Sequence, residues 1–268
     1  MEQIDHALAD LKPDSMKGYT IGDNTNKDLS KHPWRDEKLV YPAYEKFLKA
    51  GIRNVCIHKG LFPPSVERQF PNLLEYSDVR DVAKAAKDWP QLNFIIYHGG
   101  YRWAGGGNAA DAWKQFEETG RVEWVTDLAE IPGKHGVKNV YADVGQLFAQ
   151  STIADPRVTA VMVGQLIRGM GADHVCWGTG AIRTGSPQWQ IEALRRLEIP
   201  DDLQKKYGLK PLGPADGPVK TAIFGGNNAR LYNVRPEQRA QLGDDRTGAR
   251  TSHTATHYWD RRLMLSFR

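Results

Sequence analysis

Four short apolar segments constrain the fold of this sequence most, because each has the composition of a buried strand and ends at a polar residue or a glycine-containing turn. They are rich in Val, Ile, Tyr and Phe, and each follows a stretch with helical spacing. Buried strands that alternate with helices are typical of a parallel sheet with helical crossovers. The segments span residues 54–58, 93–98, 139–143 and 174–180.

The residues that end these segments are the main candidates for chemistry. In α/β barrels the catalytic groups lie at the C-terminal face, where strands end and loops begin. His58 and His98 end the first two segments, and Asp143 ends the third. Two histidines at such positions predict a metal site, and Asp143 is a candidate catalytic residue beside it. The fourth segment ends at Gly180, where the pattern predicts a carboxylate.

A fifth strand is predicted at residues 17–21, so the sequence predicts five strands with intervening helices. Five strands are too few for a closed eight-stranded barrel. The number therefore leaves either a doubly wound open sheet or the second half of a larger barrel. An open five-stranded barrel leaves two exposed parallel edges, through which two copies of the chain could pair as a homo-oligomer. Helices are predicted at 1–16, 38–50, 78–87, 110–118, 122–131, 155–170 and 187–197.

The composition is that of a soluble globular chain. Of its 268 residues, 40% are hydrophobic and 25% are charged. No apolar run approaches the roughly 18 residues of a membrane helix, so no membrane association is expected. The start of the sequence lacks the basic and apolar regions of a secretory signal, which predicts a cytoplasmic location.

The charge distribution divides the sequence into two parts. The net charge of +4 comes mostly from the residues after Val234, so the body is nearly neutral and offers no surface for nucleic acid. Residues 1–234 are predicted to form the folded domain. Residues 235–268, rich in Arg, Thr, Ser and Gly, are predicted to be a basic, irregular tail.

Several motifs, in this order and spacing, resemble one family. Residues 93–100 read Asn-Phe-Ile-Ile-Tyr-His-Gly-Gly, 176–179 read Cys-Trp-Gly-Thr, and 225–232 read Gly-Gly-Asn-Asn-Ala-Arg-Leu-Tyr. Together with residues 41–60, they are similar to amidohydrolase family 2, a group of metal-dependent hydrolases and decarboxylases. The resemblance covers residues 12–234.

The resemblance implies a distorted (β/α)8 barrel that holds one divalent metal, usually zinc. The ligands in that family are a His-x-His pair on the first strand, histidines after the fifth and sixth strands, and an aspartate after the eighth. By this match His58 and His98 are the fifth-strand and sixth-strand metal ligands, and Gly180 stands at the aspartate position. The chain is then expected to be an incomplete (β/α)8 TIM-like barrel, with strands four to eight.

The same resemblance implies hydrolysis or decarboxylation of a small carboxylated or aromatic substrate. Lys59 directly follows His58, and Tyr101 and Arg102 follow His98-Gly99-Gly100, so these three are candidate substrate-binding residues by position. The sequence departs from the family pattern because it has no His-x-His pair and has Gly180 in place of the aspartate. Zinc catalysis needs about three protein ligands and an open position for water. Impaired activity is therefore expected. The alternatives are a catalytically inactive truncated remnant and a non-enzymatic binding or assembly module.

Overall fold

The computed structural model describes residues 1–19, 37–38, 40–103, 109–181, 183–235, 237–238 and 265–267. The polar sequence at 22–34, which is predicted to be a loop, and the glycine run at 105–107 lie outside these residues. Within the described part of the chain, no helix combines the length and apolar character needed to cross a membrane.

A parallel sheet organises the chain, and the five strands expected from the sequence are confirmed. The strand order is β5-β4-β3-β2-β1-β6, and every neighbouring pair is parallel. Among the first five, consecutive strands are neighbours, as repeated strand–helix–strand units produce. The strands are β1 (Ser15–Tyr19), β2 (Asn54–His58), β3 (Asn93–Tyr97), β4 (Val140–Asp143), β5 (Val175–Cys176) and β6 (Leu265–Phe267).

Helices connect the strands, and their ends carry recognisable capping residues. At the start of α9, the Asp155 carboxylate accepts a hydrogen bond from the Arg157 backbone N–H at 2.8 Å, and Pro156 takes the first helical position. The described α-helices are α1 (Glu2–His6), α2 (Tyr41–Lys49), α3 (Pro64–Gln69), α4 (Leu74–Ser77), α5 (Val82–Asp88), α6 (Ala109–Thr119), α7 (Val125–His135), α8 (Gly145–Ala154), α9 (Pro156–Met170), α10 (Pro187–Arg196), α11 (Asp201–Tyr207), α12 (Pro218–Thr221) and α13 (Asn227–Leu231).

Alternation along the strands gives the sheet two different faces. One face joins the main core with the helices and is formed by Met16, Val55, Ile57, Phe94, Ile96, Val140, Ala142 and Val175. The opposite face carries a smaller apolar cluster formed by Cys56, Ile95, Tyr141, Cys176 and Leu231. Asn54 holds α13 against this second face, because its Nδ2 donates to the Leu231 carbonyl oxygen at 2.8 Å. The second face is therefore partly covered by α13.

Several predicted element boundaries are wrong, and two of the shifts have a local reason. The first α-helix ends at His6 and continues as a π-helical turn to Leu11, because Lys12 adopts a left-handed conformation with φ of 45°. The helix predicted from residue 78 begins at Val82, since the Asp78 carboxylate accepts from the Arg80 backbone N–H at 2.9 Å and forms a turn instead. The helix predicted at 122–131 begins at Val125 and runs to His135.

A sixth strand occurs within the segment predicted to be irregular. Residues 265–267 pair in parallel with β1, with Leu265 beside Met16 and Phe267 beside Gly18. An unpaired strand edge offers a row of backbone donors and acceptors, and a short extended segment can satisfy them. One of the two edges predicted to be open is therefore paired within the chain.

Candidate functional site

The C-terminal edge of the sheet brings the polar strand ends together. The register places Tyr19 beside His58, His58 beside Tyr97, and Asp143 beside Cys176. His98 follows Tyr97 directly, and Lys17 precedes Tyr19 by two positions on the same face of the sheet. We call this group the strand-end site, and define it as Lys17, Tyr19, His58, Tyr97, His98 and Asp143.

The two histidines of the strand-end site are in direct contact. His98 Nε2 lies 3.2 Å from His58 Nδ1, and the rings meet edge to face with centroids 4.8 Å apart. The Gln146 backbone N–H donates to His98 Nδ1 at 3.4 Å. Because Nδ1 of the neutral ring is then the acceptor, this geometry assigns its proton to Nε2, which donates to His58. The sequence positions of the pair thus converge in space.

Both imidazoles are held neutral. Burial lowers the pKa of His58 to about 3, and the positive charges of Lys17, Lys59 and Arg183 add to that effect. Burial likewise lowers the pKa of His98 to about 2, with further contributions from His58 and Lys17. A neutral ring keeps a lone pair that can bind a cation near pH 7, whereas pKa values this low make either ring a poor proton acceptor there.

A tight turn presents the His98 ring. His98 has a positive φ of 64°, and Gly99 and Gly100 follow with φ of 54° and 70°. Such a conformation is uncommon for a residue with a side chain and is tolerated mainly at functional sites or special turns. A Cβ on Gly99 would lie 2.8 Å from the Leu147 side chain. The Gly-Gly pair after His98 is therefore required by the turn.

Asp143 occupies a space that two glycines leave open. Its Oδ1 accepts a hydrogen bond from the Gly145 backbone N–H at 3.0 Å. A Cβ on Gly178 would collide with the carboxylate, and one on Gly145 would lie 2.7 Å from Oδ1. Burial raises the pKa of Asp143 to about 6, against the opposing effects of Lys17 and of the Gly145 and His98 backbone N–H groups. This carboxyl can hold or release a proton near neutral pH.

Lys17 is a site residue that the sequence analysis missed. Its side chain is only 8% exposed, and its Nζ lies 3.7 Å from the centroid of the Tyr97 ring and 4.8 Å from that of Tyr19. Burial lowers the pKa of Lys17 to about 8, although Cys56 and Asp143 oppose the shift. Strand alternation could have found it, because Lys17 pairs in register with Cys56 on the face opposite the helices.

Two of the three predicted substrate-binding residues have other partners, and the third is buried. Lys59 is fully buried, with its Nζ 2.7 Å from Asp81 Oδ1 and donating to the Tyr76 carbonyl oxygen at 2.9 Å. Arg102 donates to both Glu123 oxygens, at 2.6 and 2.5 Å, and also to Glu67. Tyr101 is 1% exposed. The structure does not bring these side chains to the histidine pair.

Gly180 does not stand at the end of a strand. The last strand of the core sheet, β5, ends at Cys176, and Gly180 lies in the following turn with φ of 65°. A Cβ at this position would lie 2.9 Å from the Gln146 side chain and 3.1 Å from Thr184. A carboxylate here would need the Gln146 side chain to move.

The sequence also matches a known family. The sequence model of the amidohydrolase family matches residues 16–234. The chain belongs to the amidohydrolase family. No curated protein sequence gives a significant match to this amidohydrolase. The resemblance found from the motifs alone is thereby confirmed.

Solved structures resemble the fold of this amidohydrolase at low sequence identity. The 5-carboxyvanillate decarboxylase of Sphingomonas paucimobilis is 14% identical with a TM-score of 0.47, over 87% of this chain and 62% of that one. A dihydroxybenzoic acid decarboxylase from Polaromonas with bound manganese is 12% identical with a TM-score of 0.48, over 88% and 66%. An amidohydrolase from Burkholderia multivorans with bound zinc is 13% identical with a TM-score of 0.46, over 75% and 60%. The chain spans less than two thirds of the length of each.

The amidohydrolase family implies a divalent metal, which the described residues fit only in part. The facing histidine nitrogens are 3.2 Å apart, close to the roughly 3.3 Å between two nitrogens bound to one tetrahedral zinc, but zinc binding there would require loss of the proton that His98 Nε2 donates to His58. In the part of the chain that the structure describes, no group of three His, Cys, Asp or Glu side chains could hold a metal ion. A catalytic zinc keeps about three protein ligands. These residues therefore do not fit a complete metal site.

Proposed function

We propose that this amidohydrolase acts on a small carboxylated or aromatic molecule by hydrolysis or decarboxylation, and that its metal-dependent turnover is impaired. The observation that carries the proposal is the contact between His58 and His98 at the strand ends, with no third ligand among the described residues. Two neutral imidazoles provide part of a metal site, but they fall short of the usual three protein ligands.

His58 and His98 are the proposed metal ligands, and zinc is the proposed metal. Imidazole suits zinc, whereas manganese favours carboxylate and carbonyl oxygens. We further assign β1 to β5 to strands four to eight of the family barrel. This assignment is supported by the position of the two histidines at the ends of consecutive strands, β2 and β3.

Asp143 is the proposed proton-transfer residue of the site. Its pKa of about 6 lies close to neutral pH, as a general acid or base requires. It lies next to the His98 turn, because His98 donates a backbone hydrogen bond to its carboxylate. Asp143 therefore can exchange a proton with a bound molecule while the imidazoles remain neutral.

Binding without turnover is the second candidate function. It is favoured by Lys17, a buried cation of the strand-end site that is surrounded by aromatic rings. Such a group can hold a small anion whether or not a metal is bound. The two candidate functions differ in their dependence on the histidine pair.

Metal content and turnover of matched variants test the proposal. The full chain is purified without chelator, and zinc and manganese are measured per chain for the wild type, His58→Gln, His98→Gln and the exposed control His135→Gln. We expect substoichiometric zinc in the wild type and control, and loss of that zinc in both site variants. Zinc that is unchanged in His58→Gln and His98→Gln would contradict the assignment.

A second pair of variants tests the Gly180 position. Asp and Asn both tolerate the positive φ at residue 180 better than other residues with side chains. They differ only in charge, so Gly180→Asp is expected to raise zinc occupancy and Gly180→Asn is not. Turnover of small aromatic carboxylates and amides is then compared with and without added zinc. Equal occupancy in the two variants would show that residue 180 does not face the histidine pair.

A further inference from the structure

The ammonium of Lys17 lacks hydrogen-bond acceptors in the described structure. The side chain is more than nine-tenths buried, yet within the described residues its ammonium contacts the rings of Tyr97 and Tyr19. Asp143 attracts it electrostatically but lies beyond ion-pair distance. An ammonium has three donors, and leaving them unsatisfied in a buried position is costly. The site is therefore suited to an anion that supplies the missing acceptors.

An aromatic surface stands beside this cation. The Tyr19 ring is 46% exposed and stacks on the His58 ring with centroids 5.0 Å apart. A large exposed aromatic ring next to a buried cation offers stacking area to a planar ligand. The combination favours a molecule that carries both a negative group and an aromatic ring.

We propose that Lys17 is the carboxylate-binding residue of the strand-end site, and that its ligand is a small aromatic carboxylate whose ring packs against Tyr19. This proposal rests on the proposed function and names the group that anchors its substrate. Lys17 takes the carboxylate-binding role predicted for Lys59 and Arg102. The charges of those two residues are already paired, with Asp81 for Lys59 and with Glu67 and Glu123 for Arg102. Lys17 also lies on the same face of the sheet as His58 and Asp143, and its charge acts to lower the pKa of both.

Calorimetric titration of metal-free protein, dialysed free of chelator, tests the proposal with benzoate as the probe. Cyclohexanecarboxylate carries the charge without the aromatic ring, and benzyl alcohol carries the ring without the charge. We expect benzoate to bind at one site and at least about tenfold more tightly than either comparison compound. Absence of benzoate binding, or equal binding of cyclohexanecarboxylate, would overturn the proposal.

Matched variants locate the bound carboxylate. Lys17→Met is expected to weaken benzoate binding by about 10- to 100-fold, as loss of a charge-assisted hydrogen bond does, whereas the exposed control Lys49→Met leaves it unchanged. Tyr19→Leu is expected to reduce benzoate affinity to that of cyclohexanecarboxylate. Unchanged benzoate affinity in Lys17→Met would place the ligand elsewhere and end the proposal.

Thermal unfolding separates a binding role from a structural one. Lys17→Met replaces a poorly satisfied buried ammonium with an apolar side chain of similar length, so its unfolding midpoint is expected to rise while benzoate binding is lost. A lower midpoint would show that Lys17 serves the fold and would count against the proposal. If turnover occurs but is unaffected by Lys17→Met, only this inference fails. If benzoate binding depends on Lys17 but the protein holds no zinc, only the proposed function fails.

Discussion

Neutral imidazoles at positions 58 and 98 make the stability of this amidohydrolase depend on pH. Their folded pKa values, about 3 and about 2, lie below the unfolded value of about 6.5. The unfolded state therefore binds more protons in acid, and the stability contributed by the neutral rings is present above about pH 6.5 and lost below it. Between pH 6.5 and 5.5 the two rings together are expected to cost about 2 kcal/mol of unfolding free energy.

Urea unfolding of the wild type and His98→Gln at these two pH values checks this expectation. The histidine contribution to the loss of stability should be about half as large in the variant as in the wild type, because only one of the two titrating rings remains. His135→Gln is the control, since His135 is exposed. An identical pH dependence in wild type and His98→Gln would show that the rings are not held neutral.

Asp143 has the opposite effect on the pH dependence of stability. Its folded pKa of about 6 lies above the unfolded value of about 3.9, so its contribution is fully present below about pH 3.9 and is lost as the pH rises through 6. On acidification from pH 6.5 to 5.5, protonation of Asp143 adds roughly 0.7 kcal/mol to the free energy of unfolding. Asp143→Asn is therefore expected to lose more stability over this interval than the wild type. A shallower pH dependence in the variant would contradict the raised pKa.

The sequence located the histidines and Asp143 because each ends an apolar run, and the ends of parallel strands share one edge. It did not locate Lys17, since one lysine near a predicted strand is ordinarily solvated and the register was unknown. It chose Lys59 because that residue follows His58 directly. In the structure, Lys59 instead forms a buried ion pair with Asp81 at 2.7 Å. Because Asp81 lies 22 positions further along the chain, no local sequence pattern indicates this pair.

At the scale of elements, glycines decide how closely two helices approach. Gly169 of α9 faces α7, where a Cβ would collide with the Ala129 carbonyl oxygen. Gly133 of α7 has no heavy atom within 4 Å of the corresponding position. Gly169→Ala is expected to destabilise the protein by about 1–3 kcal/mol through overpacking. Gly133→Ala is expected to stabilise it by about 0.5–1 kcal/mol through reduced chain entropy.

Equilibrium unfolding of both glycine variants measures the contact between α7 and α9. The two substitutions are chemically identical and both lie within helices, so their difference reports helix packing. Equal effects of the two substitutions would mean that the helices are not in close contact at Gly169.

Element types were easier to predict than element ends. Apolar runs and helical spacing predicted β1 to β5 and most of the crossover helices, because burial imposes those periods. The start of α5 depended on a turn made by the Asp78 side chain, which competes locally with the helix. Strand β6 is three residues long and its partner lies almost 250 positions away, so no local pattern marks it.

At the scale of the whole molecule, the described sheet ends in two short outer strands, β5 of two residues and β6 of three. Strand β6 pairs with β1. Pairing with a second copy through strand edges remains a prediction, now restricted to the outer edges of β5 and β6. Edges this short offer few backbone hydrogen bonds, which favours weak association.

The main core of this amidohydrolase is built from apolar side chains, so its global stability is expected to depend little on a bound metal. The main cluster joins the sheet to the helices through apolar side chains alone, and the described residues include no group of three metal-ligating side chains. Metal binding stabilises a fold in proportion to its affinity for the native state. Chelator or excess zinc is therefore expected to move the thermal unfolding midpoint by less than about 2–4 °C, the shift that roughly 1 kcal/mol produces. A fall of more than about 10 °C on chelation, absent in His58→Gln, would show that the histidine pair belongs to a complete metal site that holds the fold together.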